Sequence, residues 1–213
     1  MPDNSALDAQ TVALIHLAAA VAAGDEPSLT RSAAAALEAR VDPTWVEELL
    51  LQSILMVGYP RALIAFGVWR SVSGIPAPDS DTDAEYARLA DWEARGVETC
   101  STVYGGNYAK LRRNVRDLHP AVDRWMLVEG YGRTLGRPGL DLMRRELCTV
   151  AQTAVLRTHR QLHSHVRGAL HGGATLDQVQ ATLSVARPFL AVEEWTEIEK
   201  FWVAVRAGWS EES

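Results

Sequence analysis

Lysine is nearly missing from this 213-residue chain: Lys110 and Lys200 are the only two, so its 21 basic side chains are almost all arginine. Arginine's planar fork suits carboxylates, both in ligand sites and in ion pairs between helices. There is no block of basic residues, and the formal net charge is −6. That removes the electrostatic reason to expect a nucleic-acid partner. Cysteine is equally scarce. Cys100 and Cys148 make no disulfide framework, and two free thiols fit a cytoplasmic protein. The N-terminal "MPDNSALDAQ" lacks the basic-then-apolar order of a signal peptide. The following "VALIHLAAAVAA" is interrupted by His16 and stops at Gly24, too short to span a bilayer, so no membrane partner is expected. No convincing strand pattern occurs either.

What is present is helical periodicity. Apolar residues recur at three- and four-residue spacing over 7–23, 29–40, 44–57 and 61–72, then over 84–102, 120–135, 140–156, 159–171, 176–186 and 193–207. The fold class expected is all-α. Punctuation agrees: Asp42 precedes Pro43 at a helix start, and Gly58 and Pro60 separate two helices. "YGGNY" (104–108) and "GRPG" (136–139) break the chain further on. The clearest linker is "GIPAPDSDTD" (74–83), which divides the chain into a unit over 5–73 and a second over 84–208 that begins with a helical extension. The two look related. Shifting by 133 positions places Leu7-Asp8 on Leu140-Asp141, Leu14 on Leu147, Leu29 on Leu162, Ala36-Leu37 on Ala169-Leu170, and the cap Asp42 on Thr175.

Chemistry concentrates in "RELCTVAQTAVLRTHRQLHSHVRGALHGG" (145–173), which holds four of the six histidines, Glu146 and Cys148. On the first helix Met143, Leu147, Val150, Ala151 and Ala154 form the apolar stripe, with Glu146 at its edge. On the next, Leu162, Val166, Ala169 and Leu170 form the stripe, with His165 on the matching edge. Packed stripe to stripe, Glu146 and His165 flank one seam, offset along it by roughly 7 Å. An imidazole beside a carboxylate is a group poised for proton transfer near neutral pH, or simply an interhelical hydrogen bond. His159 and His163 have the four-residue spacing of a shared metal, but no third ligand is evident and no metal is expected. Cys148 has no CxxC partner and sits beside the apolar stripe.

"RPGLDLMRREL" followed by "QLHSHVRGALHGGATLDQV" resembles the carboxymuconolactone decarboxylase family, a relative of the alkylhydroperoxidase-D-like proteins. The family pattern runs R-E-L, about nineteen residues from the Glu to a His, then A-L-x-x-G and a capped helix. Here Arg145, Glu146 and Leu147 are followed by His165, Arg167, Ala169, Leu170, Gly173 and Thr175. The likeness extends over about 103–190, since "VYGGNYAKL" and "LHPAVDRWMLVEGYG" are similar to the region that precedes the motif in decarboxylase-type members.

The resemblance implies an all-α bundle, a homo-oligomer and a site at helix and subunit junctions. Peroxidase-type members place cysteines where this chain has Thr158 and Gln161, so dithiol peroxidase activity of the alkylhydroperoxidase or peroxiredoxin type is not implied. What is implied is cofactor-independent decarboxylation or isomerisation of a small carboxylate-bearing lactone or keto acid. His165 would be the general acid or base, and Glu146 would orient it. Arg145 or Arg167 would take the substrate carboxylate, and Tyr104 and Tyr108 would close the pocket; ion pairing and packing are the plainer roles for these four. Two alternatives remain: an oligomeric helical scaffold without catalysis, and redox chemistry through Cys148, which requires an accessible thiol. In the first unit Ala13 stands where Glu146 does and Ser32 where His165 does, as in a copy that has lost the pair.

Overall fold

The computed structural model describes residues 6–212, with side chains as far as Trp209. It is all-α, with no strand among the described residues. Three helices, α1 (Ala9–Ala23), α2 (Glu26–Glu38) and α3 (Pro43–Ser73), form the first unit. An insertion follows: α4 (Leu89–Tyr104), α5 (Tyr108–Leu118), α6 (Pro120–Trp125) and a π-helical continuation over Met126–Leu135. Then come α7 (Leu142–Val155), α8 (His159–His171), α9 (Leu176–Ala186) and α10 (Val192–Glu212).

The 133-residue offset holds in three dimensions. Shifted by it, 26–38 falls on 159–171, and the start of α3 falls on the start of α9. Asp8 caps α1 by accepting from the Thr11 N–H, and Asp141 caps α7 by accepting from Arg144. The two left-handed turns of each unit also coincide. Gly24 (φ 76°) matches Arg157 (φ 57°), and Arg40 (φ 57°) matches Gly173 (φ 99°). A left-handed turn at an arginine costs roughly 1 kcal/mol, so its retention where the twin has glycine marks a turn the fold demands.

Equivalent helices α1 and α7 pack on each other, and the cross-contacts are reciprocal: α1 meets α9 as α7 meets α3. That is the pattern of an isologous two-fold. Near its axis Arg144 donates to the hydroxyl of its own counterpart, Thr11, at 2.9 Å. The core runs across this junction, with Leu14, Ile15, Leu17, Leu49 and Leu50 packed with Leu147, Leu162 and Leu183.

A buried ion pair crosses the same junction. Arg145 reaches Glu48 at 2.7 Å, and the two side chains retain 1% and 7% exposure. Arg137 joins Glu48 at 3.0 Å and Asp81 at 2.8 Å, which ties the 74–83 linker to the second unit. Within the linker's end, Asp83 is held by Arg95 at 2.8 Å.

Two of the expected helices, 44–57 and 61–72, are one element with a kink. Gly58 takes φ 71°, ψ 171°, and Pro60 starts the second half, where its missing N–H leaves no partner unsatisfied. The 31 residues of α3 are long and apolar enough to cross a membrane. The helix is kinked at Gly58 and carries the buried Glu48 in its first half. The insertion makes its own small cluster, Cys100, Val103, Leu127, Tyr131 and Leu135, with α4 laid along the π-helical segment.

Asp123 pins α5 to α6. Its buried carboxylate accepts from Arg112 (3.0 Å to Nη2) and from Arg116 (2.9 Å). The Arg112 guanidinium holds the Asp123 carboxyl below its usual 3.8. A carboxyl lowered on folding stabilises above its unfolded value and loses that contribution as pH falls through its folded value. Asp123→Asn is therefore expected to be less stable than wild type at pH 7, with the gap closing below about pH 4. Denaturant midpoints at a series of pH values check this; a gap of constant size would show that the carboxylate's charge is not what holds the pair.

Candidate active site

Glu146 enters the site from α7 and His165 from α8, through the antiparallel packing of the two apolar stripes. The offset expected along the seam does not keep them apart: His165 Nδ1 lies 2.8 Å from Glu146 Oε2. The reason is Gly168, one turn beyond His165. A Cβ there would stand 2.7 Å from Glu146 Oε2 and 2.8 Å from Val103 Cγ1, so only glycine leaves room for the carboxylate to lean toward the imidazole. Glu146 is fully buried and His165 nearly so. Among the described residues Glu146 Oε1 has no hydrogen-bond partner, an acceptor position the fold has left open in a low-dielectric setting.

The insertion supplies the surroundings. Tyr131, from the π-helical segment, is buried in one cluster with Cys100 and Val103, and Val103 borders the same Gly168 gap that the Glu146 carboxylate fills. Tyr104, at the end of α4, meets Tyr131 edge to face at 6.1 Å between ring centroids. Burial pushes both phenols upward, Tyr131 furthest, so both stay protonated at neutral pH.

On the outer side of Tyr104 lies a cleft of about 370 Å³, a size suited to a small molecule. Its polar walls are Asn107, Lys110 and Asn114 from the α4–α5 region and His163, Arg167 and His171 from α8. The C-terminal helix closes one side: Trp209 lies against His171 at 5.3 Å and under the Arg167 guanidinium at 5.2 Å.

The carboxymuconolactone decarboxylase family model matches residues 1–71 and 120–210. The chain belongs to that family. A relative, "Peroxisomal protein 2" of Schizosaccharomyces pombe, is 27% identical over 146 residues. The alignment covers 66% of each chain, just under two thirds. The family match leaves out 72–119, so α4, α5 and with them Tyr104 and Lys110 lie outside it. The likeness expected to begin near 103 is therefore not borne out before 120.

Of the six site residues read from the sequence, the structure brings together Glu146 and His165, and sets Tyr104 and Arg167 in the adjoining cleft. Arg145 is elsewhere. Its guanidinium donates to Glu48, to Gln52 Oε1 and to the carbonyls of Leu140 and Arg137, and at 1% exposure it offers nothing to a substrate. Tyr108 is not in the cleft wall; its hydroxyl accepts from Arg112 at 2.9 Å.

Cys148 is fully buried and its thiol is pushed far upward by that burial, and Cys100 is pushed up to about 12 for the same cause. Neither is a thiolate at neutral pH, which removes the reading of redox chemistry through Cys148. His159 approaches Glu197 at 3.7 Å, while His163 packs against Phe201 and lines the cleft, so the two diverge.

The first unit shows what the site looks like without the pair. Ser32, at the position of His165, meets His16 Nδ1 at 3.0 Å, and burial holds His16 below its usual value. Ala13 and Ala35 occupy the places of Glu146 and Gly168 in an open apolar groove.

Proposed function

We propose that the chain carries out cofactor-independent proton-transfer chemistry, a decarboxylation or isomerisation, on a small lactone or keto acid bearing a carboxylate. The observation that carries this is the 2.8 Å contact of His165 with a fully buried Glu146. A buried carboxylate fixes the ring's tautomer and orientation, the requirement for a positioned acid–base group. Lys110 and Arg167 give the cleft the charge to hold a carboxylate, and Asn107 and Asn114 give it hydrogen-bonding capacity. Membership of the carboxymuconolactone decarboxylase family supports the same class of reaction.

The test is turnover of a panel of β-keto acids and carboxylated lactones by wild type, His165→Ala and Glu146→Gln. Both variants are expected to lose about 10²- to 10⁴-fold in kcat with KM little changed, the range for removing a positioned acid–base group. Equal turnover in all three would end the reading.

A second reading is an oligomeric scaffold. It is favoured by the exposed Leu55, Tyr59, Leu63 and Ile64 around the kink of α3, an apolar surface suited to association. Homo-oligomerisation is part of both readings.

A further inference from the structure

The cleft and the buried pair are neighbours that do not share a wall. Val103 borders both, and neither Glu146 nor His165 lines the cleft. What the cleft takes is therefore read from its own side chains. On α8, Ser164, Arg167 and His171 recur at three and four residues and share one face over about 10 Å. On the other wall Asn107, Lys110 and Asn114 repeat the same spacing along α5 and the turn before it. Each wall sets a fixed cation between two polar side chains. No carboxylate lines the cleft among the described residues.

Two of these groups have their hydrogen-bonding role set by the backbone. His171 Nδ1 lies 2.8 Å from the Val103 carbonyl, which can only accept, so the neutral ring carries its hydrogen on Nδ1 and offers Nε2 as an acceptor. Gly105 and Trp209 hold the ring that way. A Cβ on Gly105 would stand 3.5 Å from Cε1, and the indole lies at 5.3 Å. The Ser164 hydroxyl donates to the Arg160 carbonyl at 3.2 Å, one turn back, so its oxygen also meets the cleft as an acceptor. A hydrocarbon or a carboxylate that displaced water from these acceptors would leave them unpaired. An O–H group satisfies them.

Resting on the reading of the cleft as a carboxylate site, we propose that its ligand is a hydroxylated carboxylate of the sugar-acid class. The carboxylate meets Lys110 and Arg167, and hydroxyls on either side of it donate to Ser164 and His171. Asn107 and Asn114, which donate and accept through one amide, match hydroxyls in the same way. The wall that carries Lys110 belongs to the insertion, outside the residues that the family match covers, so the preference is a property of this chain.

Gluconate, hexanoate and sorbitol test it without turnover, since they share one chain length and carry both features, the carboxylate alone and the hydroxyls alone. In NMR titrations at about pH 8, above the ordinary imidazole range, wild type is expected to bind gluconate at least about tenfold more tightly than either of the others. Ser164→Ala and His171→Phe are each expected to weaken gluconate by about three- to tenfold and to leave hexanoate within about twofold. The phenyl ring keeps the packing on Trp209, so the loss reads the ring nitrogen. Lys110→Met is expected to weaken both acids alike. Hexanoate bound as tightly as gluconate, a preference that survives both Ser164→Ala and His171→Phe, or no response to gluconate overturns the proposal.

In ¹⁵N-histidine-labelled protein the His171 ring is expected to show hydrogen on Nδ1 and a bare Nε2, whose resonance moves with gluconate and not with hexanoate. Hydrogen on Nε2 overturns the assignment of its role. The two readings also fail separately. A cleft that prefers hexanoate, with His165→Ala inactive on the panel above, removes the hydroxylated ligand and leaves the acid–base chemistry. A cleft that selects gluconate while His165→Ala turns over like wild type does the reverse.

Discussion

Arg145→Ala is expected to destabilise the chain by about 3–5 kcal/mol, the range for stripping one partner from a buried ion pair. The guanidinium is 1% exposed, and removing it leaves Glu48, at 7%, as a carboxylate in the core with less than its complement of donors. It also orphans the Leu140 and Arg137 carbonyls and one end of Gln52, all of which Arg145 now satisfies. The double replacement Arg145→Met with Glu48→Leu is expected to recover most of the loss, because well-packed apolar side chains often replace a buried pair at little cost. Arg137 would keep Asp81 and Asp83 as partners in that variant. Urea denaturation with unchanged slope would read both effects as shifts of midpoint. A loss below about 1 kcal/mol in Arg145→Ala would mean that solvent reaches this junction.

That residue is also where the sequence left two roles open, a substrate clamp and an ion pair, and the structure shows the ion pair. Arg145 adjoins Glu146 in the motif, and a fork beside an acid–base residue reads naturally as a substrate clamp. On a helix, though, neighbours in sequence point about 100° apart. Glu146 faces α8 and Arg145 faces α3. The signal that would have placed it was Glu48, the second of two acids at the head of the apolar stretch "WVEELLLQS" and the one that falls on the buried face, where it needs a cation. The start of α9 was legible from its cap: the helix occupies the stretch its periodicity predicts, with Thr175 closing a capping box on Gln178.

The cleft was not legible for a different reason. Lys110, Asn107 and Asn114 belong to α5 and the turn before it, and "YAKLRRNVRDL" has too few apolar residues to be read as a packed helix. The Glu146–His165 seam was legible because it follows from two stripes and one spacing. Its closure depended on Gly168, whose missing side chain matters only once α4 is known to press from the other side.

The second large effect is expected at Gly132, because there the insertion is held by contact between backbones. A Cβ on Gly132 would lie 1.9 Å from the Trp92 carbonyl oxygen, and one on Gly96 would lie 2.2 Å from that of Leu127. Neither obstacle is the tip of a flexible side chain, so α4 and the π-helical segment would have to separate. Gly132→Ala is therefore expected to cost about 3 kcal/mol, at the upper end for overpacking. Gly67→Ala on α3 is the control, since nothing lies within 4 Å of its Cβ. It is expected to change stability by no more than about 1 kcal/mol and in the favourable direction, as for an exposed helical glycine.

The loss at Gly132 should also be local. Hydrogen exchange is expected to rise across α4 and 126–135 while the paired helices α1 and α7 keep their protection. Because α4 carries Tyr104 and the π-helical segment carries Tyr131, turnover should fall in the same variant with Glu146 and His165 still in place. If Gly132→Ala matched the Gly67→Ala control in stability and exchange, the two phenols would not be rigidly held.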